Sequence, residues 1–160
     1  MQIKTYTLHE GDDLQSIVAS GADHVLLDFR PSSPNFLTMI STHAGIIPDR
    51  TGSEMAACTD GRPFVRVGLF ADEMAQNVIT RVVNYQLDVV LFTGSESPTL
   101  LRNLRRTLDP GTIRRAIRFW KFVDKEPSAD AALRRDYADS IDAFVTKSGD
   151  SLTTFPTSIA

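Results

Sequence analysis

Short apolar runs alternate with amphipathic stretches along the whole chain. Residues 2–6 read as a strand. Leu14, Ile17 and Val18 follow at helical spacing, and Gly21 supplies a stop. Residues 25–29 read as a second strand, and Pro31 and Pro34 mark a loop that cannot extend it. Residues 38–57 carry Gly45, Pro48 and Gly52 and predict a short helix and a loop. From residue 65 the pattern sharpens. Residues 65–70 predict a strand, and Met74, Val78, Ile79, Val82 and Val83 line one face of a helix. Residues 88–92 predict a strand that Gly94 ends. Ser97 and Pro98 open a helix with Leu100, Leu101, Leu104 and Leu108 inward, and Asp109, Pro110 and Gly111 stop it. A strand over 113–119, a helix over 129–137 and a sixth strand over 141–146 complete the series. The tail, 147–160, is rich in Ser, Thr and Gly and is expected to be irregular.

Strand followed by helix, six times over, means parallel strands joined by crossover helices. The strands are mostly apolar, as expected when helices cover one face of the sheet and the other face is also buried. Open doubly wound sheets and closed barrels both fit this periodicity.

Composition narrows the function classes. A chain of 160 residues, 42% hydrophobic and 23% charged, reads as one soluble domain spanning its whole length. A net charge of −3 offers no electrostatic footprint for nucleic acid. No apolar run approaches the roughly 20 residues that span a bilayer, and the N-terminus lacks a signal-peptide core, so a cytoplasmic location is expected. The single cysteine, Cys58, permits no intrachain disulfide. His9, His24 and His43 lie far apart without metal-site spacing, and neither a metal nor an organic cofactor is expected.

Three longer segments and one short one carry a family resemblance. Phe29-Arg30-Pro31-Ser32-Ser33-Pro34-Asn35-Phe36 is similar to F-x-P-x-S-P-R-Y, the loop after the second strand of phosphoribosylanthranilate isomerases. Val67-Gly68-Leu69-Phe70 resembles their third strand, V-G-V-F. The segment from Asp88 to Pro98, with Gly94, Glu96 and Pro98 in place, resembles D-x-V-Q-L-H-G-x-E-x-P, their fourth strand and loop. Arg115-Ala116-Ile117 is similar to the K-A-I of strand five. The resemblance implies an α/β fold, a TIM-type (β/α) barrel with functional residues on the loops after the strands. Here it is expected to be incomplete, with about six βα units and strands seven and eight missing. Family members convert phosphoribosylanthranilate to a carboxyphenylamino-deoxyribulose phosphate by an Amadori rearrangement in tryptophan biosynthesis. The family uses an Asp as general acid, a Cys as general base and an Arg to hold the anthranilate.

The resemblance also places each site residue. The family's cysteine falls on Tyr6, which is expected to fill the barrel interior. A phenol, with a reference pKa of about 10, is a poor base at neutral pH. The arginine of S-P-R falls on Asn35, which cannot form a charged fork to a carboxylate. The histidine of Q-L-H-G falls on Thr93. The catalytic aspartate falls on Lys147, or on Thr146 with a one-residue slip. Asp28 and Asp150 are the carboxylates that remain as substitutes, although Asp28 is expected to form a structural pair with Arg66 or Arg118. Gly94, Glu96, Ser97 and Pro98 are expected to set a turn and open a helix. Trp120 is expected to cap the barrel mouth. Arg102, Arg105, Arg106, Arg114, Arg115 and Arg118 read as a solvated face, with an anion site as the alternative.

The resulting expectation is an isomerase-like protein without catalysis, serving a binding, structural or vestigial role. The alternative is an active isomerase with substituted catalytic residues. A phosphorylated small molecule is the expected ligand, with no nucleic acid and no membrane. Six units cannot close an eight-stranded barrel, so assembly through the open side, as a homodimer or with another chain, is also expected.

Overall fold

The computed structural model describes residues 2–8, 19–34, 36, 65–108, 117–127, 130–148 and 151–157. Seven strands close into one barrel in the order of the sequence. They are β1 (Gln2–Thr7), β2 (His24–Asp28), β3 (Val65–Phe70), β4 (Val89–Phe92), β5 (Arg118–Phe122), β6 (Ala143–Ser148) and β7 (Ser151–Pro156). The described helices are α1 (Ala75–Tyr85), α2 (Pro98–Thr107) and α3 (Ala131–Tyr137).

Neighbours from β1 to β6 pair in parallel. Strand β7 is antiparallel to both β6 and β1, and it closes the circle. Loop length dictates that direction. Only two residues separate Ser148 from Ser151, enough for a hairpin but far short of a parallel crossover. The expectation of an incomplete, six-unit barrel with an irregular tail is therefore corrected: residues 151–156 form the closing strand. The case for assembly through unpaired edges loses its basis, because the described sheet has no open edge.

Alternation along the strands sorts two cores. Ile3, Leu26, Val67, Leu69, Val89, Leu91, Trp120, Ala143, Val145 and Leu152 fill the barrel. Val25, Leu27, Phe29, Phe70, Val90, Phe92, Phe119 and Phe144 point outward, against Val78, Val82, Leu101 and Leu104 on the helices. Trp120 thus sits mid-strand inside the barrel, stacked on His24 with ring centroids 6.2 Å apart, and does not cap the mouth. Strand five begins at Arg118, later than the expected 113.

Local chemistry accounts for the helix bounds. The Ser97 hydroxyl accepts a hydrogen bond from Leu100 N–H at 3.2 Å and Pro98 holds the first turn of α2. The Asp130 carboxylate accepts from Leu133 N–H and starts α3. Helix α1 ends at Gln86, which takes the left-handed conformation at φ 53°. Leu101, Leu104 and Leu108 face inward, but Leu100, expected inward, is exposed, as are Met74 and Val83. The inward stripe of each helix is narrower than the periodicity suggests.

Gly68 lies where β3 passes beneath α1. A Cβ there would stand 2.5 Å from Leu87 Cδ1 and 3.0 Å from Phe70 Cε2. Gly68→Ala is expected to destabilise the fold by about 1–3 kcal/mol through overpacking. A denaturation midpoint equal to wild type would show that the β3–α1 layer has slack.

Candidate functional site at the barrel mouth

The C-terminal ends of the parallel strands open on a cavity of 170 Å³, lined by Leu26, Arg30, Leu69, Leu91, Thr93, Phe122, Lys147 and Leu152. Its walls are the upper layer of the barrel interior. Strands β2 to β7 each place a residue there because every second side chain points inward. Arg30 extends from the loop after β2, Thr93 follows β4, and Lys147 sits near the end of β6.

Asp28 organises one side of the mouth. It is 1% exposed, at the end of β2. Arg30 donates from Nε to Oδ1 at 2.9 Å and from Nη2 to Oδ2 at 2.7 Å. Arg30 N–H donates to Oδ1 at 3.0 Å, and the Ser33 hydroxyl to Oδ2 at 2.6 Å. This corrects the expected pairing with Arg66 or Arg118. Arg66 donates to the Tyr85 carbonyl, and Arg118 lies 5.8 Å from the centre of the Trp120 ring. The loop doubles back sharply enough for a residue two positions on to form the pair.

Burial alone pushes the Asp28 carboxyl up. The hydrogen bonds from Arg30 and Ser33, with the Arg30 charge, outweigh it, and the pKa lies below the usual carboxylate value. The sign follows from linkage. A depressed folded-state pKa contributes stability above the unfolded value, roughly 3.9, and loses it as pH falls through the folded value. Asp28→Asn is expected to lower stability by about 1–3 kcal/mol at pH 7 and by less in acid. Urea titrations of both proteins at pH 7 and pH 3 measure this; an undiminished gap at pH 3 would refute the linkage.

The expected site residues separate into groups. Lys147 and Thr93 line the mouth. The Thr93 hydroxyl is partly committed, donating to the Phe70 carbonyl at 3.1 Å. Thr146 alternates with Val145 and Lys147, so it lies on the other face of β6, and the inward position is the lysine's. Tyr6 packs against the outer core, not the barrel interior as expected. On β1 the inward register belongs to Ile3, Thr5 and Thr7, set by the pairing of Ile3 with Leu152. Asn35 and Asp150 lie outside the described residues, as do Cys58, His9, His43, Arg114, Arg115 and the segment 38–57.

Arg30 occupies an unspecified position of the loop motif. Its acid–x–basic spacing to Asp28 was the available signal. Of the arginine cluster, Arg102 pairs with Asp139 and Arg105 with Asp142. Gly94 and Glu96 do set the turn after β4. Glu96 accepts from Gly94 N–H at 3.0 Å and from Asp72 N–H at 2.8 Å, and it pairs with buried Lys121 at 3.2 Å. The Tyr137 hydroxyl donates to the Glu96 carbonyl at 2.6 Å. Lys121 was missed because strand five was expected to end at residue 119.

The chain is 33% identical over 132 residues to the N-(5'-phosphoribosyl)anthranilate isomerase of Acidithiobacillus ferrooxidans, an alignment covering 82% of this chain and 56% of that protein. It thus spans little more than half the length of that relative. No family model matches. Among solved structures, the phosphoribosyl anthranilate isomerase of Thermus thermophilus superposes with a TM-score of 0.57 at 19% identity, covering 90% of this chain and 62% of that one. A phosphoribosyl anthranilate isomerase in complex with reduced 1-(o-carboxyphenylamino)-1-deoxyribulose 5-phosphate gives 0.54 at 19% identity, covering 90% and 74%. At these identities the structural matches speak for the fold alone. No helix among the described residues is long and apolar enough to cross a membrane. Over its aligned residues the chain is similar to a phosphoribosylanthranilate isomerase, and its barrel resembles the fold of the solved ones.

Proposed function

We propose that this chain acts as a phosphoribosylanthranilate isomerase-like protein, taking a phosphorylated, carboxylate-bearing small molecule at the mouth of the barrel. The observation that carries the reading is the convergence of Arg30, Thr93 and Lys147 on one apolar-walled cavity at the C-terminal ends of the strands. That end is where barrels of this type place their ligands. An Amadori rearrangement needs a proton delivered to the ribose ring oxygen, so that the ring opens, and a base to remove the proton from C2. The Lys147 ammonium is the proton donor on offer in the mouth. Asp28 is the carboxylate behind it, held ionised by Arg30 and Ser33.

A second reading, binding without turnover, is favoured by one observation. Among the described residues lining the mouth there is neither a thiol nor a carboxyl, and a lysine holds the inward place near the end of β6. One assay separates the two. Purified protein is incubated with phosphoribosylanthranilate, its consumption is followed, and binding of the reduced product analogue is titrated in parallel. Turnover that falls in Lys147→Met supports the isomerase. Saturable binding without turnover supports the binder. Neither binding nor turnover would remove both.

A further inference from the structure

A lysine reacts with carbonyl compounds through its neutral amine, and its surroundings decide which compounds reach it. The chain has four, Lys4, Lys121, Lys125 and Lys147. Lys121 is buried and committed, donating to Glu96 and to the Gly94 carbonyl. Lys4 and Lys125 are exposed, Lys4 on the outer face of β1 and Lys125 between Asp124 and Glu126. Lys147 differs from all three. The register that sets it opposite Leu152 turns it inward, onto a cavity walled mostly by leucine and phenylalanine. Among the described residues its Nζ has no hydrogen-bond or ion-pair partner. Asp28, the carboxylate at that rim, is already held by Arg30 and Ser33.

We propose that Lys147 is a site of reversible covalent binding, where its amine condenses with a compact, uncharged aldehyde or ketone whose apolar body lies against Leu26, Leu69, Leu91 and Phe122. The nitrogen adds its lone pair to the carbonyl carbon, and it loses a proton as the carbonyl oxygen gains one, giving a carbinolamine. A second proton, from solvent, carries the hydroxyl away as water while the nitrogen lone pair closes the C=N bond. Amine, carbonyl and one proton thus give an iminium ion and water, with nothing oxidised or reduced. The Thr93 hydroxyl donates to the Phe70 carbonyl, so its oxygen can accept from the carbinolamine hydroxyl. The volume of 170 Å³ is below the roughly 300 Å³ of sites for drug-sized ligands, which suits a single ring or short chain. Apolar walls favour an uncharged body, because a charge laid against them would lose its hydration. This inference shares the mouth with the proposed function but needs the amine of Lys147, not its ammonium, and does not depend on the isomerase chemistry.

The test incubates the intact chain with benzaldehyde and sodium cyanoborohydride at mildly alkaline pH, which raises the neutral fraction of every lysine. The reductant turns each iminium into a stable secondary amine, and peptide mass spectrometry follows labelling lysine by lysine. Lys147 is expected to be labelled at least about tenfold faster than Lys4 and Lys125, the gain from holding the carbonyl beside the amine. In urea, with the cavity gone, that ratio is expected to fall to about one. Lys147→Met, at an exposed position, is expected to lose the fast label and keep the wild-type rates at Lys4 and Lys125. Labelling of Lys147 no faster than that of Lys4 and Lys125, or a preference that survives in urea, would overturn the assignment. Ribotide turnover without preferential labelling would leave the proposed function standing and remove this inference alone. Preferential labelling without turnover would uphold it and count against the isomerase.

Discussion

Lys121→Met is expected to lower the stability of the fold by about 3–5 kcal/mol. Lys121 is 6% exposed and Glu96 is 2% exposed, so the pair is buried at both ends. Lys121 Nζ donates to Glu96 Oε1 and to the Gly94 carbonyl. Methionine fills a similar volume but removes the charge, leaving an ionised carboxylate with two backbone N–H partners and no cation. The same carboxylate ties the turn after β4 to Asp72 in the loop after β3. The damage should therefore spread to the rim that carries Thr93. Lys121→Met combined with Glu96→Gln is expected to recover part of the loss, since an amide oxygen still accepts from one N–H group without a buried charge. Urea midpoints with unchanged slopes would measure both steps. A single variant within about 1 kcal/mol of wild type would mean that water reaches the pair.

Phe119→Ala carries a loss of similar size, about 3–5 kcal/mol, from a different cause. Phe119 is fully buried on the outer face of β5. Its ring meets Phe92 edge-on at 5.3 Å between centroids, and the Arg105 guanidinium covers it at 5.6 Å. Truncation leaves a cavity between barrel and helices that neighbouring strands, locked by their ladders, cannot collapse into. Phe119→Leu is expected to lose much less. Calorimetric melting of the two variants against wild type checks the order; a Leu variant as unstable as the Ala one would point to the aromatic contacts rather than to volume as the source.

Much of the architecture was legible because it is local. The runs expected as strands at 25–29, 65–70 and 88–92 coincide to within a residue at each end with β2, β3 and β4, and the Ser97–Pro98 start of α2 follows from capping chemistry that needs no tertiary partner. Strand five was misplaced because residues 113–119 are as apolar as 118–122, and Lys121 reads as a strand end until its buried partner Glu96 is known. The tail was taken as irregular because Ser, Thr and Gly dominate it. Yet Leu152 and Thr154 are buried, and their spacing of two is the strand signal.

By itself the sequence determined the order of the first six strands, the family that its loops resemble, and the amine near the end of β6 where that family is expected to carry an acid. Those depend on residue type and spacing within a few positions. Only the tertiary structure decided that β7 turns back to close the barrel, that Tyr6 faces out while Thr5 and Thr7 take the inward register, and that Arg30 is held by Asp28 at the mouth. The first two are set by which strand pairs with which and in what register, and the third by how the loop after β2 doubles back. A shift of one residue exchanges the two faces of a strand, and the periodicity of a single strand is the same in both cases.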